Sequence, residues 1–292
     1  MPNHLSKAAS SALDLPTEEW LRYLLKDKWF GYQRANSILN QLDTLFIYPE
    51  KNRMPNLLIF GETNNGKTTI AREFCSKHPA RNSPREENAF IPVVYIQAPQ
   101  GPDESLFFSF LLDKLNAPYN PSDRLDKKQL QSIKILKAVK TRIFIIDEIH
   151  NIISGSLNRQ RRFLNTLRFL GNELKIPLVA VGTLEASRAI QSDPQLANRF
   201  EQAPLPQWEF DEEYLQLLDS FEYTLPLKKP SNLSEDELAR HILDLSEGAI
   251  GEISNLLTKC ATLAIKTGEE HISQHLLEQL EWARPSERAG MM

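Results

Sequence analysis

One eight-residue run constrains this chain more than any other part of it. The run Gly61-Glu-Thr-Asn-Asn-Gly66-Lys67-Thr68 matches the pattern G-x-x-x-x-G-K-[ST] in full. It directly follows an apolar run ending at Phe60 and opens a helical pattern over residues 68–76. Glycines let such a backbone curl around an anion, and the helix N-terminus adds its dipole. Strand, loop and helix in this order predict a phosphate loop in an α/β domain.

The phosphate loop predicts ATP and Mg²⁺ as cofactors. We expect Lys67 to reach the β- and γ-phosphates and Thr68 to offer its hydroxyl to Mg²⁺. The predicted nucleotide contacts are Gly61, Glu62, Thr63, Asn64, Asn65, Gly66, Lys67, Thr68 and Thr69.

Short branched apolar runs alternate with longer helical patterns after residue 55. Runs of this length and composition predict buried parallel strands joined by crossover helices. The expected fold is therefore α/β, a parallel five-stranded sheet flanked by helices. Four predicted strands cover residues 57–60, 93–96, 143–146 and 178–181, and a fifth is expected near 203–205.

Helical patterns without strand-like runs lie on both sides of the predicted sheet. Residues 1–52 are predicted to be an N-terminal helical segment, with a capping box at Thr17-Glu-Glu-Trp20. Residues 53–208 form the predicted nucleotide-binding domain. Residues 209–283 are predicted to be a helical lid domain, and 284–292 a tail.

Two acids follow the third apolar run, in Ile143-Phe-Ile-Ile-Asp147-Glu148. The carboxyl end of a buried parallel strand is where open α/β sheets bind ligands. Asp147 is therefore predicted to hold Mg²⁺ together with Thr68, and Glu148 to be the base that polarises the attacking water. A solvated acidic turn is the alternative, which the phosphate loop upstream disfavours.

Two further residues have a functional and a structural interpretation. Thr183 ends the fourth apolar run, where its hydroxyl can lie between the γ-phosphate and the water, or can cap the following helix. Arg199 precedes the expected fifth strand, where it can complete a neighbouring subunit's site or form a surface ion pair.

Composition excludes several classes of protein. The 292 residues carry 34 basic and 38 acidic side chains, a net charge of −4, so a dedicated basic nucleic-acid module is not visible in the total. Two cysteines are too few for a disulfide framework, which predicts a cytoplasmic protein. No apolar run approaches the roughly 18 residues of a membrane span. Positive charge is local: residues 122–142 carry seven basic and two acidic residues, and residues 158–168 carry four arginines and no acid.

The phosphate loop, Asp147-Glu148, Val-Gly-Thr183 and Asn-Arg199-Phe together resemble an AAA+ ATPase. More narrowly, the lead-in Met54-Pro-Asn-Leu-Leu and the run Asp147-Glu-Ile-His-Asn151 resemble the TniB/TnsC group of transposition ATPases. The Trp29-Phe-Gly-Tyr32 run is similar to the N-terminal segment of that group. The resemblance covers roughly residues 20–283.

This resemblance implies an ATPase that regulates DNA transposition. Such proteins oligomerise on double-stranded target DNA as ATP-bound rings or helical filaments, and recruit a transposase and a TniQ-type targeting protein. A helicase-loader-like or chaperone-like AAA+ ATPase without a transposase partner is the alternative. The resemblance assigns the family's roles to Lys67, Thr68, Asp147, Glu148, Thr183 and Arg199.

The resemblance has one departure and one further implication. Many AAA+ lids carry an arginine in a Gly-x-x-Arg-like motif, where this chain has Gly248-Ala-Ile-Gly251-Glu252, so slow, regulatory hydrolysis is expected. The family's DNA-facing loops correspond to residues 97–104 and 119–128, so Lys127 and Lys128 are expected to contact the DNA backbone.

Overall fold

The computed structural model describes residues 4–82, 89–191 and 193–290. The first three residues of the predicted N-terminal segment and the last two of the predicted tail lie outside the described residues. The strands are β1 Asn56–Gly61, β2 Val93–Gln97, β3 Ile143–Asp147, β4 Leu178–Gly182 and β5 Phe200–Leu205. The α-helices are α1 Lys7–Ala12, α2 Thr17–Leu24, α3 Gln33–Phe46, α4 Lys67–Lys77, α5 Glu104–Lys114, α6 Leu125–Ala138, α7 Leu157–Leu174, α8 Leu184–Gln191, α9 Pro194–Ala197, α10 Glu212–Thr224, α11 Asp236–Ser246, α12 Ile250–Thr267, α13 Gln274–Gln279 and α14 Pro285–Gly290.

The five strands form one parallel sheet in the order β2-β3-β4-β1-β5, which confirms the predicted sheet. In this order β1 lies between β4 and β5, so Phe60 pairs with Gly182, and Gly61 with Leu205. On the other side of β4, Gln97 of β2 pairs with Asp147 of β3. The carboxyl ends of all five strands therefore lie along one edge, which the phosphate loop follows.

The chain divides into two compact units. A sheet unit contains residues 34–62 and 67–205, and a helical unit contains residues 1–33, 63–66 and 206–292. The residues predicted as one N-terminal segment are thus shared between the two units, and the four middle residues of the phosphate loop group with the helical unit.

The sheet unit is built on strands that are apolar on both faces. Every residue of β3 and of β4 is buried, as expected for strands covered on both sides. Phe107, Phe144 and Phe163 form edge-to-face pairs in its core. On α7 the side chains of Phe163, Leu167 and Leu170 are buried and face this core.

The helical unit has its own core, formed mainly by α10, α11 and α12. Helix α2 contributes Leu24 to this core, and its Trp20 indole donates a hydrogen bond to the Pro226 carbonyl at 2.8 Å. The predicted capping box is wrong: α2 begins at Thr17 with Pro16 as its N-cap, so the Thr17 side chain is already inside the helix. Among the described residues, no helix is both long enough and apolar enough to span a membrane.

Candidate nucleotide site

The two ends of the phosphate loop are set by the sheet unit. β1 ends at Gly61 and α4 begins at Lys67, so residues 62–66 make the turn between them. Gly61 has no room for a side chain, because a Cβ there would lie 2.1 Å from the Leu205 carbonyl oxygen of β5. Gly66 has φ of 83°, a left-handed backbone that glycine adopts without steric cost. The glycines thus have a physical reason at both positions of the motif.

Lys67 lies inside this loop. Its residue is only 9% exposed, and its ammonium donates to the carbonyl oxygens of Gly61 at 2.9 Å and Glu62 at 2.5 Å. Burial lowers the pKa of Lys67, and the nearby carboxylates of Glu148 and Asp147 oppose that shift. An ammonium held beside the loop backbone in this way is suited to contact phosphate oxygens.

Asp147 collects hydrogen bonds from three directions at the end of β3. The Thr68 hydroxyl donates to Asp147 Oδ2 at 2.8 Å, and the Glu148 backbone N–H donates to Oδ1 at 2.8 Å. The third donor is the Tyr95 hydroxyl, 2.5 Å from Oδ2. Asp147 is 1% exposed, so these bonds fix the orientation of its carboxylate. The predicted Mg²⁺ residues Thr68 and Asp147 are brought together.

Sequence reasoning missed Tyr95. The residue lies in the middle of β2, where a tyrosine between apolar neighbours was the available signal, because a Tyr hydroxyl usually finds a partner when it is removed from solvent. Burial, followed by the hydrogen bond to Asp147, raises the pKa of Tyr95, so its hydroxyl stays a neutral donor.

The oxygen donors fit Mg²⁺. This ion is bound in nucleotide sites by one or two protein oxygens together with phosphates and waters, and Thr68 and Asp147 supply a hydroxyl and a carboxylate oxygen in contact. Among the described residues no group of three or more His, Cys, Asp or Glu could hold a metal ion.

Glu148 differs from Asp147 in its exposure. Its side chain is 41% exposed, and its backbone has φ of 55°, a left-handed conformation at the start of a 3₁₀ turn. The imidazole of His150 lies 3.2 Å from Glu148 Oε2. A carboxylate that is exposed at the strand edge and held by a neighbouring ring can accept a proton from water.

Thr183 follows β4 at the same edge of the sheet. Its side chain hydrogen-bonds the carboxyl of Glu185 and lowers the pKa of that acid. The Thr183 carbonyl accepts from the Ser187 N–H at 3.3 Å. Thr183 therefore stabilises the start of α8, and it also lies at the carboxyl end of β4.

Arg199 lies at the amino-terminal ends of the strands, opposite to the end that bears the phosphate loop. Its carbonyl accepts from the N–H of Asn56, the first residue of β1, and its guanidinium donates to Asn172 Oδ1 at 2.8 Å. β1 is six residues long. Its length separates Arg199 from the phosphate loop of the same subunit by roughly 17 Å.

Two asparagines in the middle of the phosphate loop contact other residues of the helical unit. The Asn65 side-chain amide donates to the Pro206 carbonyl at 2.7 Å. Asn64, with φ of 60°, accepts a hydrogen bond at its carbonyl from the Gly251 N–H at 2.9 Å. Thr63 is exposed in the loop, and Thr69 is exposed on the first turn of α4.

The two lysines predicted to bind DNA have different surroundings. Lys127 is exposed and pairs with Asp123 at 2.7 Å. Lys128 is 2% exposed, and its ammonium donates to the hydroxyls of Ser105 and Ser109 and to the Pro121 carbonyl. The Lys128 ammonium is therefore buried between α5 and α6 and bound to these acceptors. It is not available to a phosphate, which contradicts its predicted contact with DNA.

The aromatic N-terminal run packs within the helical unit. The rings of Phe30 and Phe221 are 4.0 Å apart, and those of Tyr32 and Trp208 are 5.0 Å apart. Phe30 and Tyr32 therefore pack against the apolar core of this unit.

Comparison with known proteins identifies the fold. The chain is similar to Aeropyrum pernix ORC1, solved in complex with DNA, at 16% identity and a TM-score of 0.60, over 93% of this chain and 69% of that chain. It is also similar to Aeropyrum pernix ORC2, solved as ADPNP-ADP complexes, at 15% identity and a TM-score of 0.59, over 88% and 71%. For Cdc6p from Pyrobaculum aerophilum the values are 16%, 0.62, 86% and 67%. At these identities the likeness shows the fold alone, that of an AAA+ ATPase.

No curated protein matches the chain. The family model described as bacterial TniB protein matches residues 20–210, about two thirds of the sequence. The matched range contains the phosphate loop, both acids of β3, Thr183 and Arg199. The chain therefore belongs to the bacterial TniB family, a transposition-associated family of AAA+ fold.

Proposed function

We propose that this chain is an ATP-dependent, DNA-binding regulator of transposition. It oligomerises on double-stranded target DNA and recruits a transposase and a TniQ-type protein. The observation that carries the proposal is the convergence of Thr68, Tyr95 and Glu148 on Asp147 at the strand edge that bears the phosphate loop, in a member of the TniB family.

The side chains divide the chemistry of ATP hydrolysis among them. Lys67 and the loop N–H groups bind the phosphates, and Thr68 and Asp147 hold Mg²⁺. When bound, Mg²⁺ neutralises negative charge on the phosphate oxygens. Glu148 accepts a proton from the attacking water, and the Thr183 hydroxyl orients that water at the next strand end.

Arg199 couples the nucleotide to assembly. Its position at the sheet edge opposite to its own phosphate loop supports a role in the site of a neighbouring subunit. An arginine supplied in trans stabilises charge that develops on the γ-phosphate. ATP then links adjacent subunits, as a ring or filament requires.

DNA binding depends on a small group of exposed cations that each subunit of the assembly repeats. A chain of net charge −4 gains affinity for a polyanion when an assembly presents the same exposed cations once per subunit. Lys127 is one such cation, and the exposed Arg159, Arg161 and Arg162 of α7 are others.

Phosphate release with and without duplex DNA tests this function. We expect DNA to stimulate slow hydrolysis by the wild-type chain, and Lys67→Ala to lose both ATP binding and assembly on DNA. Electron microscopy with duplex DNA and a slowly hydrolysed ATP analogue should show rings or filaments. Wild-type ATP affinity in Lys67→Ala would contradict the site. A pull-down with a transposase tests the recruitment. If no transposase is captured, the alternative of an AAA+ ATPase without a transposase partner is favoured.

A further inference from the structure

The carboxylate of Glu252 contacts the phosphate loop. It lies in the Gly248-Ala-Ile-Gly251-Glu252 stretch, which lacks the lid arginine of many AAA+ proteins. Glu252, in the first turn of α12, is 7% exposed, and its Oε1 accepts a hydrogen bond from Asn64 Nδ2 at 2.9 Å. The backbones also meet, since the Gly251 N–H donates to the Asn64 carbonyl. Gly251 permits this approach, because a Cβ there would lie 2.0 Å from Asn64 Oδ1. Glu252 therefore orients Asn64.

This arrangement carries an electrostatic cost for a loop that binds phosphates. A buried carboxylate repels nearby negative charge, and the low local dielectric strengthens the repulsion. Burial without a counter-charge is itself unfavourable. Glu252 can serve the loop only if its charge is balanced.

Arg288 supplies the balancing charge. Its guanidinium hydrogen-bonds Glu252 Oε2, the oxygen that Asn64 leaves for another donor. The Arg288 side chain is 47% exposed and also lies over the Trp282 ring, 5.5 Å from its centroid. The result is a chain of hydrogen bonds from Arg288 through Glu252 to Asn64.

Contacts with α11 and the residue that follows it hold the segment that carries Arg288. The Trp282 indole donates to the Leu245 carbonyl at 2.8 Å, and Arg284 pairs with Asp244 at 2.5 Å. The Ser286 backbone N–H donates to the Glu247 carboxylate at 3.1 Å. Three residues of the segment 282–286 thus contact residues 244–247, so the packing of this segment brings Arg288 to Glu252.

We propose that Arg288 is a positioning residue for nucleotide binding. It neutralises Glu252, which then orients Asn64 in the phosphate loop without repelling the phosphates of the nucleotide. The inference rests on the proposed function, and it assigns to the C-terminal segment a cation that the Gly248-Ala-Ile-Gly251-Glu252 stretch lacks.

Calorimetric titration of the full chain with ADP and with a slowly hydrolysed ATP analogue tests this role. We expect Arg288→Ala to weaken the affinity for the analogue roughly tenfold, the effect of losing one charge-assisted pair. ADP should lose less, because it carries less negative charge. Arg288→Lys should retain most of the affinity. Arg22→Ala, which removes an exposed arginine of the same unit, is the matched control and should bind as wild type.

The decisive variant is the double substitution Glu252→Gln with Arg288→Ala. Gln accepts a hydrogen bond from Asn64 as Glu does, but has no charge to balance, so the affinity should return to within about threefold of wild type. A merely structural role of Arg288 would leave the double variant as weak as the single one, because both lack the arginine. That result, or wild-type affinity in Arg288→Ala, would overturn the inference. Loss of binding in Lys67→Ala, measured alongside, tests the nucleotide site separately from Arg288.

Discussion

At the scale of single residues, Asp147 decides how the site is organised. Its two oxygens accept three hydrogen bonds, from a loop hydroxyl, a tyrosine of the neighbouring strand and the next backbone N–H. The adjacent Glu148 is exposed and contacts a histidine instead. Two acids that are neighbours in sequence therefore differ in their surroundings, because the Asp147 carboxylate is buried among three donors and the Glu148 carboxylate is exposed.

Glu148→Gln should separate binding from hydrolysis. The amide retains the shape of the carboxylate but cannot accept the proton, so ATP and DNA binding should persist while phosphate release falls at least 100-fold. Release is measured with saturating ATP and duplex DNA. Glu50→Gln, which alters an exposed acid paired with Lys175, serves as the control. Unchanged release would remove Glu148 from its proposed role.

Tyr95→Phe should weaken the use of Mg²⁺. The variant removes one of two donors to Asp147 Oδ2, which costs about 1 kcal/mol and loosens the carboxylate. We expect the Mg²⁺ concentration for half-maximal phosphate release to rise several-fold. Tyr119→Phe removes a similar but exposed bond to Asp113 and should have no such effect. An identical Mg²⁺ dependence in both variants would reduce Tyr95 to a packing residue.

At the scale of elements, the predicted functional residues lie at opposite ends of the parallel strands. Strands β1, β3 and β4 end in Gly61, Asp147 and Gly182, whereas Arg199 lies where β5 and β1 begin. Because a strand of six residues separates these ends, one subunit does not bring its own Arg199 to its own phosphate loop.

Arg199→Ala should lose cooperative assembly and DNA-stimulated hydrolysis together. Nucleotide binding to the monomer should remain. Hydrolysis should fall more than tenfold, but this loss should be smaller than the 10³-fold or greater effect of arginine fingers in GTPases. Arg142→Ala, at the amino end of β3, is the control from the same edge.

Mixing Arg199→Ala with Lys67→Ala subunits gives a sharper test of action in trans. A Lys67→Ala subunit retains Arg199 and can complete the site of an Arg199→Ala neighbour, so partial hydrolysis should return. Wild-type hydrolysis by Arg199→Ala alone would make Arg199 a surface residue.

At the scale of the whole molecule, charge is distributed unevenly along the chain. Residues 122–142 carry a net +5, whereas residues 201–247, with 12 acidic and 3 basic residues, carry −9. In the proposed assembly, one such stretch per subunit would add up to a positive track, which the net charge of a single chain conceals.

DNA binding should be ATP-dependent, tolerant of sequence and steeply sensitive to salt. Each phosphate contact contributes about −0.9 to the slope of log K against log salt, so Lys127→Glu should flatten that slope. The slope is measured with duplex DNA and the slowly hydrolysed ATP analogue over a salt series. A slope equal to that of wild type would move the track to Arg159, Arg161 and Arg162.

The sequence alone determined the parts whose residues are neighbours along the chain. The phosphate loop, the first four apolar runs and the Asp147-Glu148 pair were predictable, because each depends on a local pattern of residue types. The fifth strand was placed three residues short, since Phe200-Glu-Gln-Ala lacks a continuous apolar run.

Only the tertiary structure decided which distant residues meet and which charges are exposed. Tyr95 reaches Asp147 across 52 positions, and Glu252 reaches Asn64 across 188. Adjacent lysines diverge in the same way, because one face of α6 packs on α5 and buries Lys128 while Lys127 remains in solvent. Residue type gives the chemistry of a side chain, whereas its partner and its exposure depend on how the elements pack.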